Sequence, residues 1–306
     1  MKTALIILGA GKGTRMNSEL PKVLHPIAGE PMLFHAMASG ASLEPERTVV
    51  VAGHGAEAVR TAVLTHDGEV DVVEQTEQLG TAHAVAQAKA ALGSFDGMAL
   101  VLYGDTPFIR PETLEQMQDA LGQHDVVVLG FKTADPGRYG RLIMDGAALD
   151  KIVEYKDASD EERAVTLCNS GVVACRSELL FNLVETVDNN NASGEYYLTD
   201  IVAIARAQGL SATAVLCDEA ETLGVNSRAD LAAADAAFQR RARLSLMEDG
   251  VTLMAPDTVY LARDTVIGRD TVIEPNVVFG PGVTVESGAT IRAFSHLEGC
   301  HVSRGS

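Results

Sequence analysis

Residues 4–16 read ALIILGAGKGTRM, and PKVL follows at 21–24. Five apolar residues broken by glycine describe a buried strand that opens into a turn. The run is too short for a signal peptide or a membrane span. Two familiar nucleotide-binding patterns fail on it. A dinucleotide fingerprint, G-x-G-x-x-G, needs a third glycine where this chain has Thr14, with Gly13 one place early. A P-loop needs G-x-x-x-x-G-K-[ST], yet Lys12 is followed by Gly13. What is left is a strand, a flexible turn whose N–H groups can face phosphate, and three cations near its end, Lys12, Arg15 and Lys22.

Outward from that turn, strand-like runs alternate with helical patterns: PMLFHAMASG, TVVVAG, VDVVEQ, TAHAVAQAKAAL, MALVLYGD, PETLEQMQDAL and DVVVLGF. The alternation predicts an α/β fold whose largely parallel sheet is covered on both faces. Pro31 and Pro111 stand where first helical turns begin. Beyond residue 132 the strands shorten, and the polar stretches at 156–163 and 188–195 read as loops. Residues 228–250, rich in Ala, Leu and Arg and ending at Gly250, predict a linker helix with a glycine stop.

After the helix, apolar residues recur every six positions at Leu261, Ile267, Ile273, Phe279, Val285, Ile291 and Leu297. Small or β-branched residues follow four places after most of them, at Thr265, Thr271, Val277, Val283, Ala289 and Ser295. Such a period matches hexapeptide repeats and resembles a left-handed parallel β-helix, in which three hexads close one triangular coil. The expected organisation is therefore an α/β domain at 1–227, the linker helix at 228–250 and the start of a β-helix at 251–306. Barely more than two coils are present, so the array is expected to be cut within a longer one.

Composition excludes several classes. With 42 acidic and 24 basic residues among 306, the net charge of −18 opposes nucleic acid and anionic lipid. An anionic small substrate must then be held by a few local cations, and the first turn concentrates three. The four cysteines, Cys168, Cys175, Cys217 and Cys300, show neither CxxC spacing nor clustering with histidine. They read as free thiols of a cytoplasmic protein. The eight histidines, among them His25, His54 and His83, lack metal-ligand spacing and read as structural or surface residues.

GAGKGTRM with PKVL resembles the signature of sugar-nucleotide pyrophosphorylases. EQLGTAHAV (77–85), LYGDTPFI (102–109), GRYGRL (137–142), IVEYKDA (152–158), LCNSGV (167–172), GEYYLTDI (194–201) and GVNSR (224–228) follow in the family's order. With the hexads, the chain is similar to bacterial N-acetylglucosamine-1-phosphate uridylyltransferases, usually the front half of a bifunctional enzyme whose β-helix is a glucosamine-1-phosphate acetyltransferase. The resemblance implies a Rossmann-like nucleotidyltransferase fold with a mixed, mainly parallel sheet. The activity it implies is Mg²⁺-dependent transfer of a uridylyl group from UTP to N-acetylglucosamine 1-phosphate, giving UDP-N-acetylglucosamine and pyrophosphate for cell-wall and lipopolysaccharide precursors. It also implies a homotrimer. The family's acetyl-CoA site lies between longer β-helices of neighbouring subunits, so acetyl transfer is not expected of this chain.

The resemblance assigns roles residue by residue. Leu8, Gly9, Ala10 and Gly11 line the nucleotide, Arg15 holds the triphosphate and Lys22 lies near the α-phosphate. Gln75, Gly80 and Thr81 match the uracil-reading set, and Tyr103 and Gly104 sit beside the nucleotide. Asp105 and Asn226 are the Mg²⁺ ligands. Gly140, Glu154 and Asn169 match the sugar contacts, with Tyr197 and Thr199 bordering them. Taken singly, an Asp after a strand is a turn or cap residue, and an Arg, Lys or Glu a solvated charge. Two other readings stand beside uridylyl transfer. One is thymidylyl or adenylyl transfer to glucose 1-phosphate on the same fold. The other is a non-catalytic regulatory subunit, which would have lost the phosphate and metal residues that this chain keeps.

Overall fold

The computed structural model describes all 306 residues, and the chain divides into two compact units. Residues 1–24 and 32–224 form the first, and residues 25–31 and 225–306 the second.

The first unit is built on a nine-stranded sheet. Its strands in chain order are β1 (Thr3–Gly9), β2 (Arg47–Ala52), β3 (Asp71–Glu74), β4 (Met98–Tyr103), β5 (Val126–Lys132), β6 (Arg141–Asp145), β7 (Ala148–Val153), β8 (Leu167–Arg176) and β9 (Ala212–Cys217). The spatial order is β9-β5-β8-β4-β1-β2-β3, with β6 and β7 off this path as a hairpin beside β8. Along the path β1 pairs in parallel with both β2 and β4, β2 with β3, and β5 with β9, whereas β8 runs antiparallel between β4 and β5. The sheet is thus mixed and mainly parallel. β1 is buried throughout because it is covered twice: Ala4, Ile6 and Leu8 enter one apolar cluster, Leu5 and Ile7 the other.

The chain moves from β1 outward through β2 to β3, then returns to the other side of β1 as β4. The order therefore reverses at the β1–β4 boundary, and the carboxyl ends of those two strands open the crevice where such sheets bind ligands. The helix Pro111–Leu121 begins on Pro111, whose missing N–H costs nothing at that position. Within the stretch read as a loop at 156–163, Asp160–Arg163 forms a helical turn. Ser159 caps it, and the Glu162 side chain returns to the Ser159 N–H, a short-range box that the charge run conceals in the sequence. No helix is long and apolar enough to cross a membrane.

In the second unit, the helix Arg228–Glu248 starts at Ser227, whose side chain accepts from the Asp230 N–H at 3.2 Å while Asp230 accepts from the Ser227 N–H at 2.9 Å. It ends at Gly250, with φ of 91°. The N–H of Gly250 bonds to the Met247 carbonyl and that of Val251 to the Leu246 carbonyl, a Schellman closure that favours glycine. The helix docks on the first coil largely through polar side chains. Buried Gln239 both donates to the Leu261 carbonyl at 2.8 Å and accepts from the Leu261 N–H at 2.9 Å, and Arg243 Nε donates to the Val259 carbonyl at 2.7 Å. A small hairpin, Pro26–Ile27 with Glu30–Pro31, belongs to this unit. Its Ala28 N–H donates to Asp235 at 2.8 Å and its Ala28 carbonyl accepts from the Arg263 N–H at 2.9 Å.

The hexads form the expected left-handed parallel β-helix. Two-residue strands stack on partners eighteen positions on, Val266 on Thr284, Val272 on Thr290 and Val278 on His296, and so build three faces. Ile267, Ile273, Phe279, Val285 and Ile291 fill the interior. Corner residues six apart, Asp270, Asn276, Gly282, Gly288 and Phe294, all have φ between 60° and 78°. Glycine, Asn and Asp tolerate that conformation; Phe294 is an outlier there and is 82% exposed. The last rung shortens by one residue, Thr284 pairing with His301, so that Val302 takes the apolar place after Leu297.

Candidate active site

At the carboxyl ends of β1 and β4 lies a cleft of about 440 Å³. Leu8, Gly9, Ala10, Gly11 and Lys22 line it from the first turn, and Gln75, Gly80 and Thr81 from the segment after β3. Tyr103 and Asp105 line it from the end of β4. Register explains the meeting: Leu8 pairs with Tyr103, and the Gly104 N–H donates to the Leu8 carbonyl at 2.9 Å, so the two turns leave the sheet side by side.

Gly13 explains why the turn departs from both fingerprints. Its φ is 58°, and a Cβ placed on it would come 2.7 Å from Lys22 Cβ. A glycine here lets the PKVL segment close against the turn, which brings Lys22 into the cleft. There the Lys22 ammonium forms an ion pair with the Asp105 carboxylate, the two side chains being 11% and 19% exposed. Gly11 has no neighbour within 4 Å of its would-be Cβ, so its side faces open space.

The segment after β3 is tied to the GEYYLTD motif, which the sequence holds more than a hundred residues away. The Tyr196 N–H donates to the Leu79 carbonyl at 2.8 Å, the Ala82 N–H to the Tyr196 carbonyl at 2.9 Å, and the Leu198 N–H to Thr81 Oγ1 at 2.9 Å. Gly80, at φ of 124°, would place a Cβ 2.4 Å from the Tyr196 carbonyl oxygen, so only glycine permits this pairing. Gln75 is buried, and its amide Nε2 donates to the Gly80 carbonyl at 3.0 Å.

A second cluster gathers beside Tyr103. Thr199 Oγ1 donates to Glu154 Oε1 at 3.1 Å, a Cβ on Gly140 would stand 3.3 Å from the same oxygen, and the Asn169 N–H donates to the Gly140 carbonyl at 2.9 Å. Gly171, at φ of 95°, makes room for the Tyr103 ring, which a Cβ would meet at 2.7 Å. Burial, then the charges of Glu154 and Asp105, raises the Tyr103 phenol above its ordinary value, so it stays neutral. Burial likewise raises the Glu154 carboxyl; the Thr199 hydroxyl opposes this, while Asp200 and Asp157 add to it. Arg141, 2% exposed, donates to the carbonyls of Tyr139, Gly137 (3.1 Å) and Arg163 (3.3 Å) and so shapes the loop that carries Gly140.

Arg15 does not gather here. Arg15 sits exposed on the 3₁₀ turn Thr14–Met16 and does not line the cleft. Asn226 belongs to the second unit, where its N–H donates to Asp230 at 3.0 Å. Lys12, one of the three cations of the first turn, lines the cleft, and so do Gln78 and Glu195, which the sequence does not single out as site residues. Gln78 and Glu195 fall inside motifs that the sequence flags as whole segments, with nothing to show which positions face inward.

The chain has no cluster of three or more His, Cys, Asp or Glu side chains able to hold a metal. A single hard carboxylate suits Mg²⁺, which keeps several waters and binds through one or two carboxylates plus substrate phosphates. Asp105 at a strand end, facing the glycine turn, fits that requirement.

Fold and cleft together define a nucleotidyltransferase, and a family profile described as the MobA-like NTP transferase domain matches residues 5–171. A second profile, the bacterial transferase hexapeptide (six repeats), matches residues 264–299. The chain belongs to the family of bacterial bifunctional GlmU proteins. It is 70% identical over all 306 residues to that of Roseobacter denitrificans and 72% identical to that of Ruegeria pomeroyi, covering 68% of each. To that of Paracoccus denitrificans it is 59% identical over 303 residues, covering 68% of that protein. Among solved structures, a UDP-glucose pyrophosphorylase complexed with UDP-glucose superposes with a TM-score of 0.64 at 17% identity, over 79% of this chain and all of that one. At that identity the likeness concerns the fold.

Proposed function

We propose that the cleft between the ends of β1 and β4 carries out the uridylyl transfer of this family. The reaction is Mg²⁺-dependent: a phosphate oxygen of N-acetylglucosamine 1-phosphate attacks the α-phosphorus of UTP and pyrophosphate leaves. The nucleophile is already an anion, so no general base and no covalent intermediate are needed. The difficulty is electrostatic, because two polyanions must meet in line inside a protein of net charge −18. When bound, Mg²⁺ neutralises phosphate charge and helps align the triphosphate.

The observation that carries this reading is the Lys22–Asp105 ion pair beside the glycine turn. A triphosphate entering the cleft gives the Lys22 ammonium a richer anion than one carboxylate. Lys22 then moves onto the phosphates, and Asp105 is left with free oxygens for the metal, whose second ligand in this reading is Asn226. The N–H groups of the turn face phosphate, Arg15 reaches the triphosphate from outside, and Gln75, Gly80 and Thr81 meet the uracil. Tyr103 and Gly104 border the nucleotide. Glu154, Gly140 and Asn169 take the sugar, with Tyr197 and Thr199 at its edge; the buried carboxyl of Glu154 serves as a hydrogen-bonding partner for hydroxyls. On this reading residues 1–227 are the catalytic domain, 228–250 the linker and 251–306 the β-helix.

The test is pyrophosphate release with UTP, TTP, CTP and ATP, each paired with N-acetylglucosamine 1-phosphate or glucose 1-phosphate. UTP with N-acetylglucosamine 1-phosphate should exceed every other pair by at least about tenfold in kcat/KM, since a polar site built for one partner leaves groups unpaired against another. Preference for TTP or ATP with glucose 1-phosphate contradicts the assignment.

A further inference from the structure

Gln75 Nε2 lies 3.0 Å from the Gly80 carbonyl oxygen and 2.9 Å from Nδ1 of His83. A carbonyl oxygen only accepts, so the atom facing it is the amide nitrogen, and the nitrogen's second N–H is directed at the imidazole. Nδ1 of His83 therefore accepts, and the ring proton sits on Nε2. Both amide N–H bonds of Gln75 are consumed within the protein, and none of its hydrogen bonds uses Oε1. Gln75 lines the cleft and His83 does not. Gln87, one helical turn along Thr81–Gln87, donates to the His83 carbonyl at 3.0 Å; its nitrogen stands 3.3 Å from Nε2, a longer contact than that of Gln75 with Nδ1, and makes no hydrogen bond with the protonated Nε2, since a neutral imidazole accepts at one nitrogen only.

We propose that His83 is a positioning residue for base selection: its Nδ1 holds the Gln75 amide so that Oε1, an acceptor, is what the base meets. This deepens, and rests on, the reading of Gln75 as a base contact. Uracil presents an N3–H donor at its pairing edge, whereas cytosine presents a bare N3 acceptor. A fixed acceptor matches the first and opposes the second. Without His83 one of the two restraints on the amide is gone, and the nitrogen can turn toward the base, which favours cytosine at the expense of uracil.

The experiment compares kcat and KM for UTP and CTP, with N-acetylglucosamine 1-phosphate, in wild type, His83→Ala, His83→Asn and Gln75→Ala, alongside thermal unfolding of each. His83→Ala should shrink the UTP:CTP ratio of kcat/KM about tenfold, the size of one lost hydrogen bond, mainly through a higher KM for UTP and with kcat within about twofold. His83→Asn, whose side-chain oxygen can stand where Nδ1 stood, should restore most of the ratio. A Gln75→Ala enzyme with a reduced ratio beside a His83→Ala enzyme with the wild-type ratio overturns the positioning role. An unchanged ratio in both overturns the base contact itself. If His83→Ala does not fold, a folded His83→Asn that keeps the wild-type ratio supports the role, and one that loses it as Gln75→Ala does overturns it.

Discussion

Gly13 illustrates how one atom decides whether the cleft forms. A Cβ there meets Lys22 Cβ at 2.7 Å and must also occupy φ of 58°, so Gly13→Ala pushes away the segment that delivers the ammonium. Its expected cost is about 1–2 kcal/mol of stability, with a fall in kcat of about tenfold or more; wild-type kcat in this variant would show that the contact does not position Lys22. Asp200 offers a second test at this scale. Burial, followed by Asp188 and Asp157, raises its pKa to about 6 from 3.8. Between those values the folded state binds a proton that the unfolded chain has released, so this contribution to stability is full below about pH 4 and lost as pH rises through about 6. Asp200→Asn should therefore flatten the stability profile across that window and be the more stable protein at pH 7, by about 1 kcal/mol after allowing for the group's partial exposure. Parallel unfolding curves for the two proteins from pH 4 to 7 would contradict it.

At the scale of elements, the linker helix is held by paired polar contacts more than by an apolar stripe. Gln239→Leu leaves the Leu261 N–H and carbonyl without their partner in a buried setting, and should cost about 2–3 kcal/mol in the unfolding of the second unit. A change below about 0.5 kcal/mol would mean that the amide contributes little. What the sequence discloses at this scale depends on whether the signal is local. The hexads are legible because every sixth residue repeats the same demand, an apolar side chain turned inward, with a left-handed corner three places on. Gly250 is legible as a stop because glycine meets a backbone need shared by many helices. The helical turn Asp160–Arg163 is concealed because its four residues are all charged. The antiparallel insertion of β8 between β4 and β5 is concealed because pairing partners far apart leave no mark on either strand.

For the whole molecule, the sequence discloses the parts of the candidate site more readily than their connections. The motifs carrying Lys22, Asp105, Gln75 and Glu154 stand out through their order, which resembles the family's, whereas the joining of Leu79–Ala82 to Tyr196–Leu198 and the bracing of Gln75 by His83 exist only once the sheet has formed. Arg141 shows the same limit: nothing in GRYGRL sets it apart from Arg138, yet it is buried and bonded to three backbone carbonyls. The central claim is that one carboxylate, poised against Lys22 where the strand order reverses, supports transfer between two phosphates. The most direct measurement is Mg²⁺-dependent pyrophosphate release from UTP and N-acetylglucosamine 1-phosphate by Asp105→Ala, with thermal unfolding followed in parallel. The expected result is a folded protein whose kcat falls by about a hundredfold or more; turnover at the wild-type rate would contradict the account.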